Sequence, residues 1–150
     1  MLKGLIYAIG TGLGTGYAPI APGTAGSLLA VILFLLWPQN TIFWLLMAIA
    51  FFICGVPVAS AIEKEQGEDP SLVVIDEVVG QWLALLFLPS VNWSIAGAAF
   101  FLFRFFDVWK PFPIDYSQKL NGGWGIMIDD VLAGIYANLV LQIVLRSGLL

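Results

Sequence analysis

The sequence predicts an all-α integral membrane bundle of about five membrane helices, with a glycine-rich N-terminal segment and short loops. Three observations carry that prediction. Hydrophobic residues make up 60% of the 150, aromatics 14%, and the mean hydropathy of +0.95 lies well outside the range of soluble globular chains. The apolar residues fall into runs separated by short stretches rich in Pro, Gly and Asn. Charged residues are only 11% of the chain and gather at a few places instead of spreading over a solvated face.

From Gly10 the run GTGLGTGYAPIAPGTAGS carries no charge. Gly and Pro at this density do not sustain a regular helix in water, so irregular or re-entrant backbone is expected there. A short apolar helix follows from Thr24 to Pro38, then a turn at Gln39 and Asn40, then a long apolar helix from Thr41 to about Ile62. A bilayer core needs about 20 helical residues, so the long helix spans unaided, whereas the short one needs tilt, thinning or its glycine lead-in at membrane depth. The linker EKEQGEDP, Glu63 to Pro70, is the most hydrophilic part of the chain and belongs in water. Ser71 to Leu88 reads as a third span with acids in its first turns, closed by Pro89, Ser90 and Asn92. Residues 93 to 109 read as a fourth, aromatic-rich helix stopped by Pro111 and Pro113. After a polar loop to Gly125, Ile126 to Leu145 makes the fifth span. Trp37, Trp44, Trp82, Trp93 and Trp109 near the span ends are expected as an aromatic belt.

Residues 1–150 are expected as a single domain. A formal charge of -4 with no basic stripe argues against nucleic-acid binding and against a polybasic lipid-surface patch. The one cysteine, Cys54, excludes an intramolecular disulfide and is expected as a small buried hydrophobe. The apolar run after Lys3 is broken at once by Gly10, Gly12 and Gly14, which does not fit a cleavable signal peptide. Alternation of five helices brings the glycine segment, the 63–77 stretch, the 104–125 loop and the start of the last helix to one face. That face holds Lys3, Lys64, Arg104, Lys110 and Lys119 against Arg146 alone, so the positive-inside rule makes it cytoplasmic.

Ionisable groups beside apolar spans are costly, and those on this face form three sets. Asp76 and Glu77 open the third span, with Gly80 and Gln81 one turn on, a layout with room for a cation and its waters; the alternative is a pair of acids complementing a helix N-terminus. Arg104, Asp107 and Lys110 are spaced three apart along one side of a helix. Arg can clamp a phosphate bidentately and Lys adds a point charge; the alternative is an interfacial ion pair with snorkelling side chains. Asp129 and Asp130 start the last helix after Asn121, Gly122, Gly123, Trp124 and Gly125, with Gly134 one turn on. Adjacent like charges at an apolar helix start repel, and a cation or proton must offset them. The Gly10–Ser27 stretch has neither the Gly-Lys-Ser/Thr ending of a P-loop nor the spacing of a dinucleotide turn. Thr24 and Ser27 nevertheless stand where a helix begins, and free N–H groups there favour an anion; a close-packed glycine turn is the alternative.

With no histidine, His-nucleophile phosphatase, zinc protease and Ser-His-Asp chemistries are excluded, and Cys54 has no basic loop beside it to make a Cys-nucleophile phosphatase. What remains is carboxylate and metal chemistry on an anionic phospho-ligand at a bilayer surface.

At GYAPIAPGTAGSL (Gly16 to Leu28), IDEVVGQW (Ile75 to Trp82), FRFFDVWKPFPI (Phe103 to Ile114) and NGGWGIMIDDVLAG (Asn121 to Gly134) the sequence resembles the phosphatidylglycerophosphatase A family. The resemblance implies a Mg2+-dependent phosphatase of the bacterial inner membrane that removes the terminal phosphate of phosphatidylglycerophosphate to give phosphatidylglycerol. It implies Asp76, Glu77, Asp107, Asp129 and Asp130 as catalytic carboxylates, with Asp76, Glu77, Asp129 and Asp130 on the metal. Arg104 and Lys110 become the basic pair for substrate, with Thr24 and Ser27 beside it. The attacking group is left open between a metal-activated water and an aspartate. Two rivals use the same carboxylates: a CDP-alcohol phosphotransferase, whose extended aspartate motif is absent here, and a small cation transporter, which wants its acids near the bilayer midplane.

Overall fold

The computed structural model describes residues 2–37 and 40–148. It is all-α, with seven helices and no strand among the described residues: α1 (Leu2–Gly10), α2 (Pro22–Leu36), α3 (Thr41–Gln66), α4 (Ile75–Leu85), α5 (Trp93–Trp109), α6 (Ile114–Ser117) and α7 (Gly123–Arg146). The expected irregular segment survives between α1 and α2, where a single 3-10 turn at Thr15–Tyr17 interrupts it. Its N-terminal flank is helical instead, because α1 packs on α3: Gly10 lies so close to Ile62 and Val58 that a Cβ there would collide. Pro38 and Gln39, expected at a helix end and a turn, lie outside the described residues.

Local chemistry sets the boundaries. Pro22 at the first position starts α2 two residues earlier than expected, after Ala21 in the left-handed region. Asn40 caps α3 by accepting from the Phe43 N–H at 3.0 Å, and Asn92 caps α5 by accepting from Ile95 at 2.9 Å. The helix α3 runs past Ile62 through half of the hydrophilic linker and stops where Gly67 takes a φ of 100°. Lys110, in the left-handed region ahead of Pro111, ends α5.

The hub of the fold is α4. Nine of its eleven residues are buried, and it packs against α2, α3, α5 and α7. At about 1.5 Å per residue it is only about 16 Å long, too short to cross a bilayer by itself. Its open C-terminal end is satisfied from α7, where the buried Asn138 amide donates to Ala84 O at 3.1 Å and Leu86 O at 2.5 Å. Among the described residues, two helices, α3 and α7, are long and apolar enough to cross a membrane.

Two expectations about single residues are corrected. Trp44 and Trp82 are core residues, 3% and 2% exposed, with ring centroids 5.0 Å apart. Trp82 also donates its indole N–H to Ala30 O at 3.1 Å, so the hub consumes these two rings, while Trp37, Trp93 and Trp109 stay exposed. Cys54 is exposed, because it sits on the outward face of α3 while its neighbour Gly55 turns inward against Met127.

Candidate active site

Three helix ends meet at one point. The first turn of α4 brings Asp76 and Glu77, the last two turns of α5 bring Arg104 and Asp107 with Lys110 just beyond, and the second turn of α7 brings Asp129 and Asp130. Close contact of α4 with α7 requires glycine on both sides. A Cβ on Gly134 would run into the Gly80 backbone, and one on Gly80 would lie 2.5 Å from both the Asp130 carbonyl oxygen and the Phe103 ring. Gly80 therefore seals a helix crossing rather than leaving room for a cation, and the crossing holds Asp130 beside Asp76.

Five carboxylates thus share a buried space with two cations. Asp76, Asp107, Asp129 and Asp130 are 8%, 9%, 4% and 2% exposed. Arg104 Nη1 lies 2.8 Å from Asp107 Oδ2 and 3.8 Å from Glu77 Oε1. Lys110 Nζ donates to Asp129 Oδ2 at 2.6 Å and lies 3.8 Å from Asp107 Oδ1. Burial works against the Lys110 charge, but Asp129, with Asp107 and Asp130, outweighs it and holds the lysine pKa above its usual value. Asp129 is further fixed by the Asp130 N–H, which donates to Oδ1 at 3.0 Å.

The other oxygens are left over. Asp76 Oδ1, Glu77 Oε2 and Asp130 Oδ2 are buried and have no hydrogen-bond partner among the described residues. Oxygens of Asp76, Glu77 and Asp130 lie within 4.8 Å of one another, and so do those of Asp107, Asp129 and Asp130. Ligands of a hard ion at about 2.1 Å are at most about 4.2 Å apart, so a small contraction closes either set. Asp76 and Asp130 each present an unpartnered buried oxygen, and with Glu77 beside them these all-oxygen donors fit a hard divalent cation. Asp130 belongs to both sets, and Asp107 joins the four carboxylates expected on a metal.

The start of α2 completes the site. Gly23 is packed so tightly that a Cβ would strike the Glu77 carboxylate and lie 3.1 Å from Arg104 Nη1. Thr24 is half-buried in the same turn, and no side chain caps the start of α2. Ser27 is one turn deeper, fully buried, and donates its hydroxyl to Gly23 O at 2.9 Å. It props the turn from beneath. The cluster does not include Asp115 or Lys119, which are exposed. Lys119 lines a neighbouring polar recess of about 550 Å3 with Glu63, Glu68, Asp69 and Asn121. Gly23 had no signal of its own in the sequence, whereas Gln81 stood one turn on from the acids in the layout expected to admit a cation and its waters; an amide in an otherwise apolar helix, here fully buried, was its signal.

A sequence model of the family described as Phosphatidylglycerophosphatase A matches residues 8–145, which take in every residue of the cluster. The chain belongs to that family. A phosphatidylglycerophosphatase A from Haemophilus influenzae is 43% identical over 139 residues, 90% of this chain and 85% of the relative. The phosphatidylglycerophosphatase A of Escherichia coli is 37% identical over 137 residues, 86% and 77% of the two chains. A putative phosphatidylinositol-3-phosphatase from Bacteroides thetaiotaomicron is 44% identical over 144 residues, 90% of each chain. No solved structure matches significantly. Membership of the phosphatidylglycerophosphatase A family makes the chain a lipid phosphatase, and its bacterial relatives and two long apolar helices agree with a place at the membrane.

Proposed function

We propose that residues 1–150 form one membrane-embedded catalytic domain that hydrolyses phosphatidylglycerophosphate to phosphatidylglycerol and phosphate, with Mg2+ as cofactor. The supporting observation is the convergence of five carboxylates, four of them buried, and two cations from three helices at one end of an apolar bundle, in a chain of this family.

In this reading α2, α3, α4, α5 and α7 cross the inner membrane, α4 together with the chain that follows it, and the cluster faces the cytoplasm. The side with Lys3, Lys64, Arg104, Lys110 and Lys119 carries the basic excess over Arg146. The acyl chains stay in the bilayer and only the head group reaches the cluster.

Asp76, Glu77, Asp129 and Asp130, with Asp107 beside them, would hold the Mg2+, which would neutralise charge on a phosphoryl group and make a bound water more acidic. Arg104 turns its guanidinium to two phosphate oxygens, and Lys110, steadied by Asp129, offsets the charge that builds on a third. The N–H groups of Gly23 and Thr24 donate to the same anion from the start of α2. Asp76, Glu77 and Asp130 each keep an unpaired oxygen, and whichever of them the ion does not engage would take a proton from water or attack phosphorus itself. On the water route a new P–O bond forms as the ester P–O bond breaks, and the carboxylate returns the water's proton to the departing glycerol oxygen; on the carboxylate route the glycerol oxygen takes its proton from solvent and a water then hydrolyses the acyl phosphate.

The test is phosphate release from short-chain phosphatidylglycerophosphate by detergent-purified protein, with and without Mg2+, beside Asp130→Asn. Release that needs Mg2+ and is lost in the variant is expected; well-folded protein inert with every divalent cation sinks the proposal. Phosphatidylinositol 3-phosphate belongs in the same assay, because the 44% identical relative bears that name; faster release from it would change the head group but not the chemistry.

A further inference from the structure

Gln81 is fully buried, and neither its amide nitrogen nor its oxygen has a hydrogen-bond partner among the described residues. Leaving such a group unsatisfied costs about 1–3 kcal/mol, and a leucine of similar size would avoid that. The position is one turn on from Glu77 along α4, and side chains four apart on a helix are neighbours. Glu77 itself presents Oε1 towards Arg104 and keeps Oε2 buried and unpartnered. Three polar atoms with no partner therefore lie one turn apart on the face of α4 that carries Glu77. The next turn of α2 below Gly23 ends this face with Ser27, whose hydroxyl proton already goes to Gly23 O.

We propose that Gln81 is a positioning residue that holds Glu77 in its cation-binding pose, its Nε2–H donating to Glu77 Oε2. The inference rests on reading the cluster as a divalent-cation site. A carboxylate that binds an ion through one oxygen needs its other oxygen fixed, or it swings between the ion and Arg104. Partners of this kind set metal affinity by about 10–100-fold. The amide suits the role because it donates without adding charge to a space that already holds five acids. Its own oxygen remains as an acceptor for a water bound beneath the cluster.

The experiment compares wild type with Gln81→Leu in two readouts: the unfolding temperature as a function of Mg2+ concentration without substrate, and the Mg2+ dependence of phosphate release. Gln81→Leu is expected to unfold at the same or a higher temperature without Mg2+. It should need about tenfold to a hundredfold more Mg2+ for half of the thermal shift and half of the activity, and recover to within a few-fold of wild type at saturating Mg2+. A merely structural role would move the unfolding temperature and leave both Mg2+ midpoints alone; that result overturns the proposal. Gln81→Met replaces leucine if the latter does not fold, with the same outcomes. Wild type showing no Mg2+ shift in either readout would instead remove the cation reading on which the inference stands.

Discussion

Asp107 and Asp129 each lie against a cation, at 2.8 Å from Arg104 and 2.6 Å from Lys110, whereas Asp76 and Asp130 keep oxygens with no partner in the same buried space. The side chains are alike and their burial is alike, so the difference comes from which helices supply them. The end of α5 brings its own bases, and α4 and the inner face of α7 bring none. A buried carboxylate without a partner is unstable as charge unless something from outside completes it. The paired half is thus offset by charges of the protein, and the unpaired half needs a cation or a proton to offset its own.

Asp130→Asn attacks the unpaired half at the residue common to both oxygen sets, keeping shape while removing charge. Phosphate release should fall by about 10³-fold or more, as expected when a group stabilising the transition state is lost. The unfolding temperature should hold or rise, because one like charge leaves a crowded site. Activity near wild type would erase the distinction between the halves. Gly134→Ala tests the same half without touching a carboxylate, since the added Cβ meets the Gly80 backbone and wedges α4 from α7. Overpacking of this kind costs about 1–3 kcal/mol, and an ångström of displacement between Asp76 and Asp130 costs about 10²-fold in rate. Unfolding and single-turnover measurements separate the two losses.

Lys110→Met attacks the paired half, and here stability should suffer as well as rate. Asp129 would lose its 2.6 Å partner while 4% exposed. Breaking a fully buried pair costs about 3–5 kcal/mol, but the Lys110 side chain is 25% exposed, so about 1–2 kcal/mol is expected from unfolding, with about a tenfold fall in kcat/KM. Gly23→Ala is milder: its Cβ must displace the flexible end of Glu77, and about a tenfold rise in KM without loss of stability is expected from steady-state kinetics and thermal unfolding.

Much of this was legible in the sequence because the chemistry was confined to charged residues in an apolar chain. Asp76, Glu77, Arg104, Asp107, Lys110, Asp129 and Asp130 stand out against their surroundings, and the structure brings all seven together. The helix order was readable from Asn40, Asn92 and the prolines. What was hidden depends on packing between distant segments. Gly80 looked like open space beside the acids, yet its partner is Gly134, more than fifty positions on. Trp82 looked like a membrane-surface ring until Ala30 O and Trp44 closed round it. Ser27 looked like an anion donor, but its turn of α2 lies a level below the cluster. Periodicity assigns residues to faces of a helix; it does not say which other helix covers the face.

The smallest expected effect sharpens the comparison most. Lys3 and Glu65 form an ion pair at 2.7 Å, closer than Arg104 and Asp107 at 2.8 Å, and Tyr7 also donates to Glu65 at 3.0 Å. If distance set the worth of a pair, Lys3→Met would rank with Lys110→Met. The Lys3 and Glu65 side chains are, however, 72% and 44% exposed, so water and salt already solvate both charges and holding two long side chains together costs entropy. Lys3→Met should therefore leave the unfolding temperature and the rate of phosphate release unchanged within error, at low and high salt alike. A clear loss of activity would mean that α1 reports to the cluster through Gly10 and Val74, whose backbones are joined by a 2.8 Å hydrogen bond, and the boundary drawn around the site would have to move outward to include it.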